Sequence, residues 1–313
     1  MDKALQERVA QLKKALEAEA IQCIREKAIN YGHQLHCGSG SDRATVNIYH
    51  GKKGFSVVIQ GKKSLLTQRI EALTKGNPVP DKAVSAGSQT AMDGLHPAGI
   101  PCWMGCDESG KGDVFGPLVG AACLITKEEE GKLRELGVCD SKMLTDAKIA
   151  VLAKQIRDML GERCRTTVLM PHEYNEQYNS LKKQHKNLNH LLGRLHGENI
   201  CCLLSKYECP CIIVDKFGNE EYVLQALGRI AASHQIIQVT KGERDTAVAA
   251  ASILARHGFV DAMKALSARY GMSFPKGAYL GIFSAIQAFD RAYGHEALAE
   301  VGKLNFKNFD FLR

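Results

Sequence analysis

The sequence predicts an α/β protein in two parts, a small α+β domain followed by a larger domain with a mixed sheet flanked by helices. Three observations lead there. The chain has 313 residues, more than a single hydrophobic core usually serves. Its first 75 residues pass from a helical apolar period to paired strand-like runs. Residues 76–98, rich in Pro, Gly, Ser and Asp and without period, then separate this segment from a long α/β pattern. The expected division is therefore 1–75 for the first domain, 76–98 for a linker and 99–313 for the second domain.

Each element has its own warrant. From Lys3 to Tyr31, Leu5, Val9, Leu12, Leu16 and Ile21 recur near three- to four-residue spacing and predict an amphipathic helix. A turn at Gly38-Ser39-Gly40-Ser41 follows. The runs 44–49 and 55–60, joined by His50-Gly51-Lys52-Lys53-Gly54, read as a hairpin. Gly61-Lys62-Lys63 comes next, then a short helix through Ala72. Beyond Ile100 a glycine-rich strand and turn cover Trp103 to Ile125. Helices are predicted at Ala147–Met159 and Leu188–Leu204, and a short apolar strand, 211–214, ends in Asp215. Ala247 to Leu266 reads as a strongly apolar helix. No internal repeat is visible.

Composition narrows the class. Hydrophobic residues make up 45% of the chain, enough for an ordinary globular core. The formal charge is +7. Residues 1–75 hold 13 Lys/Arg against 7 Asp/Glu, so nearly all of the excess lies in the first domain, where it suits a polyanionic partner. The 11 cysteines include the close pairs Cys102/Cys106 and Cys209/Cys211, but no pair of CxxC motifs, which argues against zinc. Buried thiols in a reducing cytoplasm are the expectation. No apolar run approaches the ~20 residues that span a bilayer. Residues 1–20 are charged and helical in period, unlike a secretion signal.

The chemistry concentrates in four acids. Asp107-Glu108 ends an apolar approach, Trp103-Met104-Gly105-Cys106, and two adjacent carboxylates at the end of a buried strand are costly unless a cation neutralises them. Asp215 repeats the arrangement at the end of its own apolar strand. Asp245 stands at the start of the apolar helix, where it is placed to cap that helix and to face a metal. Oxygen ligands of this kind without His or Cys select Mg²⁺ or Mn²⁺. Ser109-Gly110-Lys111-Gly112 lets the backbone approach a ligand closely, with Lys111 adding charge, and lacks the spacing of a P-loop.

The run Asp-Glu-Ser-Gly-Lys-Gly-Asp-Val-Phe-Gly-Pro, residues 107–117, resembles the signature of ribonuclease HIII, the bacterial type 2 ribonuclease H with an additional N-terminal domain. The resemblance continues through 137–144, Tyr174-Asn175, 187–192, 214–217, 247–256, 275–278 and 303–309, covering essentially all of residues 100–313. Lys111 between the glycines, with Asp-Val-Phe after Gly112, favours this family over ribonuclease HII. Residues 1–75 resemble more weakly the family's N-terminal domain, whose fold is like that of the TATA-binding protein. Cys139 and Met143 depart from the pattern, where charged residues are commoner.

The resemblance implies a ribonuclease H-like catalytic fold and an endonuclease for the RNA strand of RNA–DNA hybrids. It implies two divalent ions, Mg²⁺ or Mn²⁺, held by Asp107, Glu108, Asp215 and Asp245, with Glu243 the alternative to Asp245. Products would carry 5′-phosphate and 3′-hydroxyl ends. Ser109, Gly110, Lys111 and Gly112 are the expected readers of the ribose 2′-hydroxyl, and Ser141 and Lys142 the expected phosphate contacts. Tyr49, Lys52, Lys53, Lys62 and Lys63 are the expected grip of the N-terminal domain on the hybrid. His185, His190 and His196 fall in one region, His190 reading as structural. A cytoplasmic monomer is expected. The competing readings are a catalytically silent hybrid-binding protein, a ribonuclease HII-like cutter at single ribonucleotides, a DNA-directed nuclease and a nucleotide-binding enzyme.

Overall fold

A computed structural model describes residues 3–19, 21–30, 32–39, 42–51, 54–61, 65–75, 95–279 and 281–312. The chain divides into two compact units, Met1–Ser88 and Gln89–Arg313.

The first unit runs α1 (Lys3–Ala18), β1 (Gln22–Ile29), β2 (Gly32–Ser39), β3 (Asp42–Gly51), β4 (Gly54–Gly61) and α2 (Leu65–Lys75). The strands form an antiparallel sheet in sequential order. Leu5, Val9, Leu12 and Leu16 of α1 and Leu66 and Ile70 of α2 share a core with Leu35, Cys37, Val46 and Ile48 of the sheet. Side chains alternate across a strand, so Thr45 and Tyr49 lie on the opposite face of β3. There Gln34 donates to Asn47 at 2.6 Å. The predicted hairpin is β3 and β4. The predicted helix to Tyr31, by contrast, stops at Ala18: the amide of Ile21 closes onto the Leu16 carbonyl at 2.9 Å, and residues 22–29 become a strand. Antiparallel pairing with β2, from Gln22 opposite Gly38 to Ile29 opposite Gly32, gives this stretch a ladder that a sparse helical spacing does not outweigh.

The second unit begins within the expected linker. Residues 76–94 lie outside the described residues, but Leu95 and Ile100 already pack on the second core. The order is β5 (Cys102–Ser109), β6 (Leu118–Thr126), α3 (Lys127–Glu135), α4 (Asp146–Leu160), β7 (Cys164–Leu169), α5 (Pro171–Lys183), α6 (Leu188–Leu204), β8 (Cys211–Asp215), α7 (Glu221–Leu227), α8 (Ile230–Ser233), β9 (Gln235–Val239), α9 (Thr246–Tyr270), α10 (Ile282–Tyr293) and α11 (Leu298–Val301). Its five strands are ordered β7-β6-β5-β8-β9. The β5–β6 and β6–β7 pairs are antiparallel, and β5–β8 and β8–β9 are parallel.

The faces of β5 decide where the acids point. Trp103 belongs to the core shared with α9, and Met104 and Cys106 to the core shared with Ile200 and Leu203 of α6. Gly105 lies under the first turn of α9, and a Cβ there would run into the backbone of Ala247 and Val248. This contact brings the N-terminus of α9 directly onto the central strand. The C-terminal segment clamps the chain that follows the glycine turn: Lys303 is fully buried, and its Nζ donates to the carbonyls of Gly116 and Pro117 at 2.5 and 3.2 Å. Among the described residues, no helix is long and apolar enough to cross a membrane.

Candidate active site

β5 and β8 run parallel, with Met104 opposite Ile212 and Cys106 opposite Val214. One step further, Asp107 and Asp215 therefore stand side by side at the C-terminal edge of the sheet. Strand alternation sends Asp107 toward α9 and Glu108 toward α6. Asp107 is almost wholly buried. It accepts the Glu108 amide at 2.7 Å and the hydroxyl of Ser252, on α9. Ser252 in turn meets Ser141 Oγ at 2.8 Å. Asp215 Oδ1 accepts the Gly242 amide at 2.8 Å. Glu108 Oε2 faces His196 Nε2 of α6 at 3.1 Å, while its Oε1 lies 3.9 Å from Lys111 Nζ.

The electrostatics follow from burial and crowding. Burial, then the charges of Glu108 and Asp215, hold the Asp107 carboxyl well above the ordinary aspartate range. Asp215 is raised as well, chiefly by burial, with Glu243 and Glu108 adding to the shift against the Gly242 amide and Lys142. Lys142 goes the other way: burial lowers it, but Asp140, Glu243, Asp107 and Asp215 together keep it above the usual lysine value. Carboxylates that repel one another in a buried setting, with oxygen as the donor atom, fit a hard divalent cation. Among the described residues no group of three or more His, Cys, Asp or Glu side chains is set to hold a metal ion. Carboxylate oxygens are the donor type that Mg²⁺ or Mn²⁺ takes.

Asp245 keeps different company from the other three acids. Its carboxylate is fully buried. Oδ1 accepts the indole N–H of Trp103 at 3.0 Å and the Ala247 amide at 2.9 Å, and Oδ2 lies 3.3 Å from His96 Nδ1, whose ring stacks on Trp103. This is a helix cap that also ties the start of the unit to the core. Glu243, two residues earlier, is the acid whose charge reaches Asp215 and Lys142. The 3₁₀ turn Gly242–Arg244 sets it there, entered through Lys241 in the left-handed region at φ 59°.

The remaining expected residues have these surroundings. Ser109 ends β5, and Gly110 adopts φ 89°, with a Cβ there meeting the Pro117 carbonyl and the Phe259 ring. Gly112 has open space where a side chain would be. Lys111 donates to the Phe217 carbonyl at 2.9 Å. Lys142 is exposed beside the carboxylates, and Ser141 is buried with its hydroxyl against Ser252. His190 helps cap α6 through Asn187 at 3.0 Å, a structural role. Tyr49 lies in the first unit, partly exposed; Lys52, Lys53, Lys62 and Lys63 lie outside the described residues.

Comparison with known proteins gives the family. The family described as Ribonuclease HII matches residues 104–309. Ribonuclease HIII of Protochlamydia amoebophila (strain UWE25) is 41% identical over 207 residues, 66% of this chain and 67% of that protein. Ribonuclease HIII of Chlamydia muridarum (strain MoPn / Nigg) is 34% identical over 272 residues, covering 86% of this chain and 84% of its own. The chain belongs to the ribonuclease HIII family. It is a ribonuclease H enzyme, and the ribonuclease HIII likeness extends to structure. A crystal structure of Bst-RNase HIII in complex with Mn²⁺ superposes with a TM-score of 0.62 at 26% identity, over 99% of this chain and 95% of that one. Within this ribonuclease HIII, the sequence signal for Glu243 was its place in Gly242-Glu243, directly after β9. The contact of His196 with Glu108 had no signal, since it joins residues 88 positions apart.

Proposed function

We propose that this ribonuclease H cleaves the RNA strand of RNA–DNA hybrids at the Asp107–Asp215 edge of its sheet, by a two-metal-ion hydrolysis that leaves 5′-phosphate and 3′-hydroxyl ends. The observation that carries the reading is the convergence of Asp107, Glu108 and Asp215, from two parallel strands, with Glu243 supplied by the adjoining turn. These four side chains hold the divalent ions. Bound Mg²⁺ or Mn²⁺ lowers the pKa of a water and stabilises charge on the departing oxygen. Asp107, fixed by Ser252 and the Glu108 amide, and Asp215, fixed by the Gly242 amide, keep their oxygens in place without relying on the ion. Lys142 faces the same carboxylates and is positioned to meet a backbone phosphate. The backbone of Ser109-Gly110-Lys111-Gly112 reads the ribose 2′-hydroxyl, helped by the open space at Gly112.

The first unit grips the hybrid through the face of its sheet that carries Tyr49, together with the lysines of the sequence motifs at 52–53 and 62–63. The enzyme works as a monomer in the cytoplasm, the compartment being the part of the reading that its 11 free cysteines support. The test is cleavage of an end-labelled RNA–DNA hybrid with Mg²⁺ or Mn²⁺, beside duplex DNA, duplex RNA and a duplex with one ribonucleotide. Hybrid cutting that is lost with EDTA and in Asp107→Asn supports the reading; tight hybrid binding without cutting under either metal overturns it.

A further inference from the structure

The glutamate of the site sits in a closed circuit of side chains that has no place in the hydrolytic reading so far. His196 is wholly buried on α6, and its Nε2 meets Glu108 Oε2 at 3.1 Å. Its ring stacks on Phe217 at 5.3 Å between centroids and 14° between planes. Phe217 lies two residues beyond Asp215; its carbonyl receives Lys111 Nζ at 2.9 Å, and that same ammonium stands 5.4 Å above its ring. Lys111 returns to Glu108 through Oε1 at 3.9 Å. The other ring nitrogen of His196, Nδ1, is buried without a hydrogen-bond partner. An unpartnered N–H costs more than an unpartnered lone pair when the neighbouring acceptor is a carboxylate. The ring hydrogen therefore belongs on Nε2, aimed at Glu108.

We propose that His196 is a positioning residue for metal binding: donating through Nε2 it ties up Glu108 Oε2 and leaves Oε1 as the oxygen offered to the divalent ion. Phe217 holds the imidazole flat and anchors Lys111 3.9 Å from Oε1. Strand alternation turns Glu108 away from the Asp107–Ser252–Ser141 chain, so its rotamer is set on the opposite face, by the His196 hydrogen bond and the more distant Lys111 ammonium. This inference rests on the reading of Glu108 as a metal ligand.

The test is Mn²⁺ binding to the full chain without nucleic acid, by titration calorimetry, alongside the Mn²⁺ concentration dependence of hybrid cleavage. His196→Phe keeps a ring on Phe217 but removes the donor, and His196→Gln returns an N–H at a similar reach. Removal of partners that orient metal ligands typically weakens metal affinity 10- to 100-fold, on the order of which His196→Phe is expected to lose. His196→Gln should recover most of it, with both variants saturating at a similar maximal rate. Equal Mn²⁺ affinity in His196→Phe and wild type, while Glu108→Gln loses binding, overturns the positioning role and leaves the site reading intact. Unchanged binding in Glu108→Gln overturns the site reading and this inference with it. If His196→Phe does not fold, long-range ¹H–¹⁵N spectra of the wild type decide: an Nε2–H tautomer for His196 supports the proposal, and an Nδ1–H tautomer overturns it.

Discussion

Between Gly242 and Thr246 the chain carries two acids, and the short turn that separates them sends their carboxylates into different surroundings. Glu243 adds its charge to Asp215, whereas Asp245 caps α9 and binds Trp103 and His96. The two substitutions should therefore separate activity from stability. Glu243→Gln is expected to lower turnover by at least about 100-fold, the scale on which removal of charge placed at a reacting phosphate is felt, with little change in Tm. Asp245→Asn is expected to keep substantial turnover and to lose about 1–3 kcal/mol of stability, because an amide cannot accept from Trp103, the helix amides and His96 alike. Hybrid cleavage and urea unfolding measured on both proteins check the pair; full activity in Glu243→Gln would return the role to Asp245. The ambiguity was legible in the sequence, since both acids stand before the apolar helix, but the contacts that distinguish the two were not: the bond from Trp103 to Asp245 joins residues 142 positions apart.

At the scale of elements, two contacts set how the site is carried. The first is the seat of α9 on β5. With the α9 backbone lying against Gly105, any side chain there must push the helix and Asp107's partner Ser252 away from the strand. Gly105→Ala should cost about 1–3 kcal/mol by overpacking, and a Tm equal to wild type would contradict the contact. The second is the start of α3. Glu129 closes a capping box with Thr126 and pairs with Arg163 through both oxygens, one of them at 2.6 Å from Nη1. Burial works to raise its carboxyl, but the Arg163 guanidinium and the Thr126 groups outweigh it and hold it below the ordinary value of 4.5. A lowered carboxylate gives stability that is present above that ordinary value and lost as pH falls through the lowered one. Glu129→Gln should thus cost about 1–2 kcal/mol at pH 7, and urea melts should show the gap from wild type closing below pH 4. Helices α4, α6 and α9 and strand β8 were legible from periodicity because each carries its own apolar pattern. β1 was not, because Arg25, Glu26 and Lys27 lie in a strand with no alternating apolar face, held by pairing with β2 and by the contacts of Glu26 with Lys13 and His33.

For the whole molecule, charge and carboxylates lie in different parts of the chain, and this separation makes a prediction about salt. The net charge of +7 falls almost entirely on residues 1–75, while the proposed metal-holding acids Asp107, Glu108, Asp215 and Glu243 belong to the second unit. Lys111 and Lys142 are the lysines beside those acids, so most of the proposed phosphate-binding charge belongs to another part of the chain. Affinity gained from phosphate contacts should then be strongly salt-dependent and nearly independent of the metal. Each phosphate neutralised contributes about 0.9 to the slope of log K against log salt for duplex DNA. Replacing Lys52, Lys53, Lys62 and Lys63 together by Gln should lower that slope by up to about 3. It should weaken hybrid binding at low salt and leave the maximal cleavage rate near wild type, since none of the four belongs to the carboxylate centre. Binding measured by fluorescence anisotropy from 50 to 300 mM salt, with single-turnover cleavage at saturating enzyme, separates the two effects. A slope unchanged by all four substitutions would move the grip on the hybrid to the second unit, where Lys111 and Lys142 would have to supply it; an intact slope combined with a slower maximal rate would place these lysines at the reacting phosphate instead.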